Sequence, residues 1–202
     1  MYRPNAFAVD DPSVLREALR KRVFVTLAAV QDGALRFAYA PVMVGEGGVR
    51  FHLAIRNPLA ALEDGMRVSL SCVAADAYVS PDWYRTMVTV PTWNYIAVEA
   101  EGPVRRLSQD ELRALVIDLS AQEEAGLAPK PPWLIDKVPA PRIEAMLNAI
   151  VGFEMSFGRF EGKLKLSQDK PDDDVQGVIE GLEARGDPAS LAVARAMREV
   201  KE

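Results

Sequence analysis

The feature that most constrains the fold is a series of short β-forming runs separated by tight turns. Residues 23–30, 34–44 and 49–54 are rich in apolar, β-branched and aromatic residues, and the loops between them are Gln31-Asp32-Gly33 and Gly45-Glu46-Gly47-Gly48. Short loops that contain glycine are typical of β-hairpins. These segments therefore predict three consecutive antiparallel strands, and they argue against alternating strands and helices with a parallel sheet.

Later segments add further strands. The candidates are residues 66–73, 87–91, 95–102 and 153–160. The last candidate places Phe153, Met155 and Phe157 at a period of two, as expected for a strand with one buried face. The number of predicted strands is therefore six or seven. Because 202 residues can bury one sizeable core, a mainly β fold built on a barrel or closed antiparallel sheet is predicted.

Helices are predicted around this sheet. They span residues 12–21, 57–65, 108–124, 141–150, 175–184 and 188–200. Ser108 and Glu111 form a capping box at the start of the third helix. After Gln168, a charged Asp-Lys-Pro-Asp-Asp-Asp stretch separates the last two helices from the rest. We therefore divide the chain into a barrel domain, residues 1–168, and a helical C-terminal appendage, residues 169–202.

Composition narrows the functional classes. The single Cys72 excludes an internal disulfide, and the single His52 excludes sites that need two imidazoles or a Cys/His zinc cluster. The net charge of -5 gives no support to direct DNA binding. No apolar run approaches the roughly 20 residues of a membrane-spanning helix, and the N-terminus lacks a signal-peptide pattern. The sequence predicts a cytoplasmic protein without a metal site or membrane association.

The first segment that could bind a ligand lies where a strand passes into a capped helix. It contains His52, Ala54, Arg56 and Asn57. Exposed amides at a helix start, with an arginine beside them, would hold a phosphate. The alternatives are that Asn57 is only an N-cap, that Arg56 is a solvated charge and that His52 is a structural histidine.

Two aromatic segments follow. Residues 78–84 carry Trp83 and Tyr84, which could wall a planar ligand or anchor a core. In residues 90–95, strand alternation would put Thr92 and Asn94 on one face and Trp93 and Tyr95 on the other. A hydrogen-bonding face beside an aromatic face suits a flavin ring system, although a buried tryptophan beside a proline is also common.

The fourth segment has a period of two. Lys163, Lys165 and Ser167 would share one side of a strand, with the intervening leucines in the core. Two ammonium groups and a hydroxyl can hold a phosphate dianion. The alternative is an edge strand that lysines protect from pairing. Since GxGxxG, Walker A, HExxH and GxSxG motifs are all absent, no catalytic residue is assigned.

Taken together, the segments Met1-Tyr2-Arg3-Pro4, HLAIRNP, YVSPDWY, VPTWNY and KLKLSQ resemble the PaiB family of FMN-binding proteins, described as negative transcriptional regulators. The resemblance spans residues 1–168. It implies the six-stranded split barrel shared with pyridoxamine-phosphate oxidases and flavin reductases, a homodimer, and FMN at the subunit interface. It also implies cofactor contacts from the segments described above: His52, Ala54, Arg56, Asn57, Thr92, Trp93, Asn94, Lys163, Lys165 and Ser167.

One departure from the family pattern bears on the phosphate. Members read His-x-Ala-Arg-Ala-Asn-Pro, whereas this chain has Ile55 at the arginine position and Arg56 one place later. In a strand, a shift of one residue reverses the face, so Arg56 does not simply replace the family arginine unless the segment has already left strand geometry. We therefore expect FMN to be held through Lys163 and Lys165, with lower affinity than is usual in the family.

The resemblance leaves three functions open. The flavin could serve a regulatory protein as a sensor or structural ligand, with repression exerted indirectly. It could instead serve an oxidoreductase of small molecules, because flavin supplies the hydride chemistry without acid or base motifs. The third possible function is that of a dimeric binding module whose barrel has lost FMN. Fold alone does not choose among them.

Overall fold

The computed structural model describes residues 1–86 and 88–200. Its strands are β1 (Ala8–Val9), β2 (Phe24–Gln31), β3 (Ala34–Val44), β4 (Gly48–Ala54), β5 (Arg67–Val79), β6 (Thr92–Arg106), β7 (Ile150–Ser156) and β8 (Arg159–Lys165). Its α-helices are α1 (Pro12–Lys21), α2 (Gln109–Ala125), α3 (Ala140–Leu147), α4 (Asp172–Arg185) and α5 (Pro188–Glu199). Short 3-10 helices span Asn5–Phe7, Pro58–Ala61, Pro81–Trp83 and Ile135–Lys137.

Six of the strands close into a ring, which confirms the antiparallel barrel. Their order is β6-β5-β2-β3-β4-β7, and β6 also pairs with β7. The β2–β3, β2–β5, β3–β4, β4–β7 and β6–β7 pairs are all antiparallel. The two additional strands, β1 and β8, pair with each other, and β8 is next to β6 in the order.

The chain forms two compact units, and β5 and β6 contribute to both. The barrel unit comprises residues 22–71 and 100–159, and the second unit comprises residues 1–21, 72–99 and 160–202. Inside the barrel unit, Phe51 on β4 lies opposite Phe153 on β7, and their ring centroids are 5.6 Å apart. Both rings are fully buried, so the predicted alternation places large apolar side chains in the barrel core.

The second unit has its own core. Its buried residues come from the end of β5, from the segment after β8 and from helices α4 and α5, including Val79, Leu166, Leu182 and Met197. Residues 169–202, which the sequence separates as an appendage, therefore supply much of the apolar surface that this unit buries. Because burial of apolar surface stabilises a fold by about 25 cal/mol per Å², these helices are a major source of stability.

The strand predictions were correct for the hairpins, wrong for residues 153–160 and 88–91, and too short for β5 and β6. Residues 153–160 do not form one strand, because a turn at Phe157 and Gly158 separates β7 from β8. Residues 88–91 are not in a strand, and Met87 lies outside the described residues. Strands β5 and β6 are both longer than the apolar runs that predicted them, because pairing partners extend a strand beyond its most apolar part.

The helix predictions also largely agree with the structure. Helix α1 spans the predicted residues 12–21, and Ser108 caps α2 through its side chain while Glu111 completes the capping box. The segment after Asn57 is a single 3-10 turn that ends at Ala61 rather than a helix reaching Gly65. Among residues 1–86 and 88–200, no helix is long and apolar enough to cross a membrane.

Gly102 on β6 is the position where barrel closure is most sensitive to side-chain volume. A Cβ atom there would lie 1.7 Å from the carbonyl oxygen of Ser156, which is backbone and cannot move aside. We expect Gly102→Ala to lower the free energy of unfolding by about 3 kcal/mol, since the added methyl overpacks the junction.

Urea unfolding followed by circular dichroism measures this change. Gly126→Ala is the control, because Gly126 has a helical φ of -71° and its added Cβ would meet Glu123 O at an ordinary 3.4 Å. Equal unfolding midpoints for the two variants would contradict the role given to Gly102.

Candidate functional site

Lys165, at the end of β8, has an ammonium group that is hydrogen-bonded to two other predicted ligand residues. Its Nζ donates hydrogen bonds to Thr92 Oγ1 at 2.8 Å and to the carbonyl oxygen of Trp93 at 2.7 Å. An ammonium group has three N–H donors, and these two bonds account for two of them. The contacts join three predicted site residues, and they fix the position of the charge before any anion binds.

Burial lowers the pKa of Lys165, and the positive charges of Lys163 and Lys170 act in the same direction, while Asp169 opposes them. The charged form therefore costs more here than on a solvated lysine. A ligand phosphate would relieve this cost by supplying the missing negative charge. This environment differs from that of a fully solvated lysine.

Lys163 lies in a different environment on the same strand. It is only 8% exposed, and its Nζ lies 5.3 Å from the ring centroid of Tyr95 and 5.4 Å from that of Tyr2. Cation–π attraction of this kind offsets part of the cost of burying an ammonium group. The Lys163 ammonium group is therefore in contact with aromatic rings, whereas the Lys165 ammonium group is hydrogen-bonded to oxygen atoms.

Trp93 presents an aromatic surface beside Lys165. Its side chain is 53% exposed although it belongs to a strand, and the ring of Tyr78 packs edge-on against it with centroids 6.2 Å apart. An exposed tryptophan whose orientation is fixed by a second ring is a suitable stacking surface for a planar heterocycle. The alternation predicted for this segment is correct, because Trp93 faces outward and Asn94 faces inward.

Asn94 and Ser167 are both buried, and their side chains are hydrogen-bonded to each other. Asn94 Nδ2 donates to Ser167 Oγ at 2.9 Å and contacts Met197 Sδ at 3.4 Å. Asn94 is fully buried, so its amide is satisfied within the protein. The predicted alternation does not reach Ser167, since β8 ends at Lys165 and Ser167 has a left-handed φ of 62°. These two residues hold β6 against the segment that follows Lys165.

The remaining predicted residues lie in the barrel unit, where β4 ends at Ala54. The Asn57 N–H donates to the Ala54 carbonyl at 2.8 Å, which closes a turn with Ile55 and Arg56 at its centre. Asn57 Oδ1 accepts from the Leu59 N–H at 2.9 Å, as its predicted capping role requires. Strand geometry therefore ends before Ile55, which is the condition under which moving the arginine to position 56 does not reverse its face.

His52 precedes this turn and pairs with Gly152 across the β4–β7 ladder. It is half-buried, and its Nδ1 is buried without a hydrogen-bond partner. Burial lowers the pKa of the imidazole, so His52 is neutral at neutral pH. A neutral ring with an unsatisfied nitrogen can donate or accept one hydrogen bond, depending on the tautomer.

The sequence did not reveal how the aromatic segment 78–84 is held. Asp174, buried at the start of α4, accepts hydrogen bonds from the N–H groups of Arg85 and Thr86, each at 2.7 Å. The ring of Trp83 packs on Gly181, where an added Cβ would approach Trp83 Cδ2 to 2.3 Å. The spacing of two glycines, Gly177 and Gly181, on one helix face was the available signal for this close contact.

The predicted residues thus form two groups. His52, Ala54, Arg56 and Asn57 belong to the barrel unit, and Thr92, Trp93, Asn94, Lys163, Lys165 and Ser167 belong to the second unit. The second group contains the features that a phosphorylated planar ligand needs: an ordered cation at Lys165 and an exposed ring at Trp93. The residues present therefore fit FMN.

The fold and these side chains define the class, an FMN-binding split-barrel protein. Residues 1–159 match the family described as "Putative FMN-binding domain". The chain belongs to this family, as the sequence resemblance indicated, and FMN is its cofactor.

Curated relatives agree with this assignment. The chain is 29% identical over 208 aligned positions to "Protease synthase and sporulation protein PAI 2" of Bacillus subtilis (strain 168), covering 98% of this chain and 97% of that protein. It is 33% identical over 135 positions to an uncharacterized protein of Emericella nidulans. That match covers 60% of this chain, which spans about half (54%) of the fungal protein's length.

Solved structures share the fold at low sequence identity. The FAD and heme binding protein from Mycobacterium smegmatis has a TM-score of 0.59 and 18% identity, with 86% of this chain and 80% of that chain covered. The flavocytochrome Anf3 from Azotobacter vinelandii has a TM-score of 0.58 and 16% identity, with coverage of 81% and 72%. At these identities the comparison establishes only the split-barrel architecture.

Proposed function

We propose that this protein is a homodimer that binds FMN at the subunit interface and uses it as a sensor or structural ligand in negative regulation of transcription. The observation that carries the flavin site is the Lys165 ammonium group, held by Thr92 and the Trp93 carbonyl next to the exposed Trp93 ring. The regulatory role is supported by the relative in Bacillus subtilis, whose name refers to protease synthesis and sporulation.

Each residue in this site has a separate task. Lys165 binds the phosphate, and Lys163 adds positive potential from its position between two tyrosine rings. Trp93 stacks on the ring system, and the buried Asn94–Ser167 pair keeps Trp93 and Lys165 in register. FMN, when bound, supplies reversible electron transfer. The chain's own contribution is to bind and orient the cofactor.

Removal of the Lys165 charge tests the phosphate site. We expect Lys165→Met to weaken FMN binding by about 10- to 100-fold, because a charged hydrogen bond contributes about 1.5–3 kcal/mol. Methionine retains most of the aliphatic chain. Fluorescence titration of apo-protein with FMN measures the affinity, and Lys137→Ala, at an exposed position of the other unit, is the control.

Two comparisons make this titration specific for the phosphate. Because burial lowers the pKa of Lys165, its charge is lost at a lower pH than that of an ordinary lysine, and FMN affinity should fall as the pH rises through that pKa. Riboflavin, which lacks the phosphate, should not show this dependence. If Arg56→Ala reduces FMN affinity more than Lys165→Met does, the phosphate site lies at the turn after β4 instead.

The subunit interface is assigned to the outer face of the β2–β3 hairpin. Leu35, Phe37 and Tyr39 alternate along β3 and are 55–66% exposed, and Val30 lies opposite Leu35 on β2. Contiguous exposed apolar surface of this kind marks interaction sites. A second copy of the chain is the occupant we propose, since a twofold interface pairs one patch with itself.

A charge in the middle of this face should prevent dimerisation. We expect Phe37→Lys to sediment as a monomer and to lose saturable FMN binding, because burying an unpaired ammonium group is strongly unfavourable. Val88→Lys, which replaces another exposed apolar residue, should remain dimeric. Sedimentation velocity with absorbance detection at the flavin band reports both properties. A Phe37→Lys variant that remains a dimer would remove this face from the interface.

A sensor and an oxidoreductase differ in what they do with a reductant. For a sensor, we expect anaerobic NADH or NADPH to leave the bound flavin spectrum unchanged over minutes. The net charge of -5 also predicts no shift of duplex DNA in a low-salt gel assay, where non-specific phosphate contacts would be strongest. Rapid bleaching of the flavin by either nucleotide would replace the regulatory proposal with an oxidoreductase.

A further inference from the structure

The barrel unit contains an apolar cavity of about 580 Å³ that the proposed flavin site does not use. Its walls come from the end of β3, from His52 on β4, from helices α2 and α3 and from the segment between those helices, and they include Leu119, Trp133, Ile143, Leu147 and Ile150. Cavities of 300–1,000 Å³ with mainly apolar walls and few polar groups are typical of small-molecule sites.

The polar groups around this cavity differ in whether they are already satisfied. The Ser120 hydroxyl donates to the Val116 carbonyl at 2.7 Å. Glu124 accepts from Lys130 and from the Trp133 N–H. His52 Nδ1, in contrast, is buried without a partner. Nδ1 has almost no surface open to the cavity, but His52 lines it and its side chain makes no hydrogen bond within the described residues, so the imidazole can form one with a ligand.

The charge around the cavity selects against anions. Glu123 and Glu124 both line it, and the hydrogen bond from Lys130 lowers the pKa of Glu124, which is therefore ionised at neutral pH. His52 contributes no positive charge there, since burial lowers its pKa. An anionic ligand such as FMN would meet the carboxylate of Glu123 there, and the ammonium group of Lys130 is already paired with Glu124, which separates this cavity from the phosphate site at Lys165.

We infer that this cavity binds a neutral, mainly aromatic small molecule that carries one hydroxyl group, with the hydroxyl bonded to the imidazole of His52. A hydroxyl both donates and accepts, so it satisfies either tautomer of the imidazole. The remaining ligand surface contacts aliphatic and aromatic walls. The site stands independently of the flavin site, and it would give an FMN-binding regulator a second, small-molecule input.

Three matched probes test the inference on the full-length, FMN-loaded protein by equilibrium dialysis: 2-naphthol, naphthalene and 2-naphthoate. We expect 2-naphthol to bind saturably, naphthalene to bind about 10-fold more weakly because it lacks the hydrogen bond, and 2-naphthoate not to bind. His52→Leu should remove the difference between naphthol and naphthalene. Equal binding of naphthoate and naphthol would overturn the inference, as would an unchanged naphthol affinity in His52→Leu.

Filling the cavity provides the second variant. Ile143→Trp should abolish binding of both neutral probes while leaving FMN affinity unchanged, whereas Ala184→Trp, at an exposed position on α4, should change neither. If FMN displaces naphthol, or if Ile143→Trp also removes FMN, the cavity is part of the flavin site and the inference fails. Failure of the Lys165 titration would not affect this result, because the two sites are measured with different ligands.

Discussion

Closure of the β-barrel by pairing of β6 with β7 is the constraint on which the rest of the barrel unit depends. The turn between β7 and β8 is held from two sides, since Phe157 donates its N–H to the Gly47 carbonyl and Gly158 donates to the Glu101 carbonyl. At Gly48 and Gly102 the backbones approach so closely that a Cβ would overlap a carbonyl oxygen of Met155 or Ser156. A closed ring leaves no strand edge open to non-native pairing, and these glycines make that closure possible.

Local patterns in the sequence were sufficient for elements whose determinants lie within a few residues. The β2–β3 and β3–β4 hairpins, helix α1 and the capping box of α2 all depend on turn glycines, helical periodicity or a cap, and all were predicted correctly. The β7–β8 turn was missed because its hydrogen bonds go to Gly47 and Glu101, which are distant in sequence. Pairing over such distances leaves little trace in periodicity, and this explains why the strand boundaries after residue 70 were less accurate.

The candidate site shows the same division between local and long-range information. Alternation predicted which way Trp93 and Asn94 face, but it could not show that Asn94 is enclosed by Ser167 and Met197. It placed Lys163 and Lys165 on one side of a strand, yet one ammonium lies between tyrosine rings and the other is bound by oxygen atoms. The chemical role of a polar residue therefore depends on its tertiary neighbours, whereas its face depends only on its own strand.

Charge would separate the two classes of ligand proposed for this protein. The second unit holds Lys165 with its charge already paired to neutral oxygens, so an approaching phosphate gains electrostatic attraction without first breaking a salt bridge to that residue. The cavity of the barrel unit is lined by Glu123, by Glu124 in its ion pair with Lys130 and by a neutral His52, so the same phosphate would find no available cation among these residues. A neutral hydroxylated molecule would have the opposite preference, because it carries no charge for Lys165 to attract but can hydrogen-bond to the imidazole of His52.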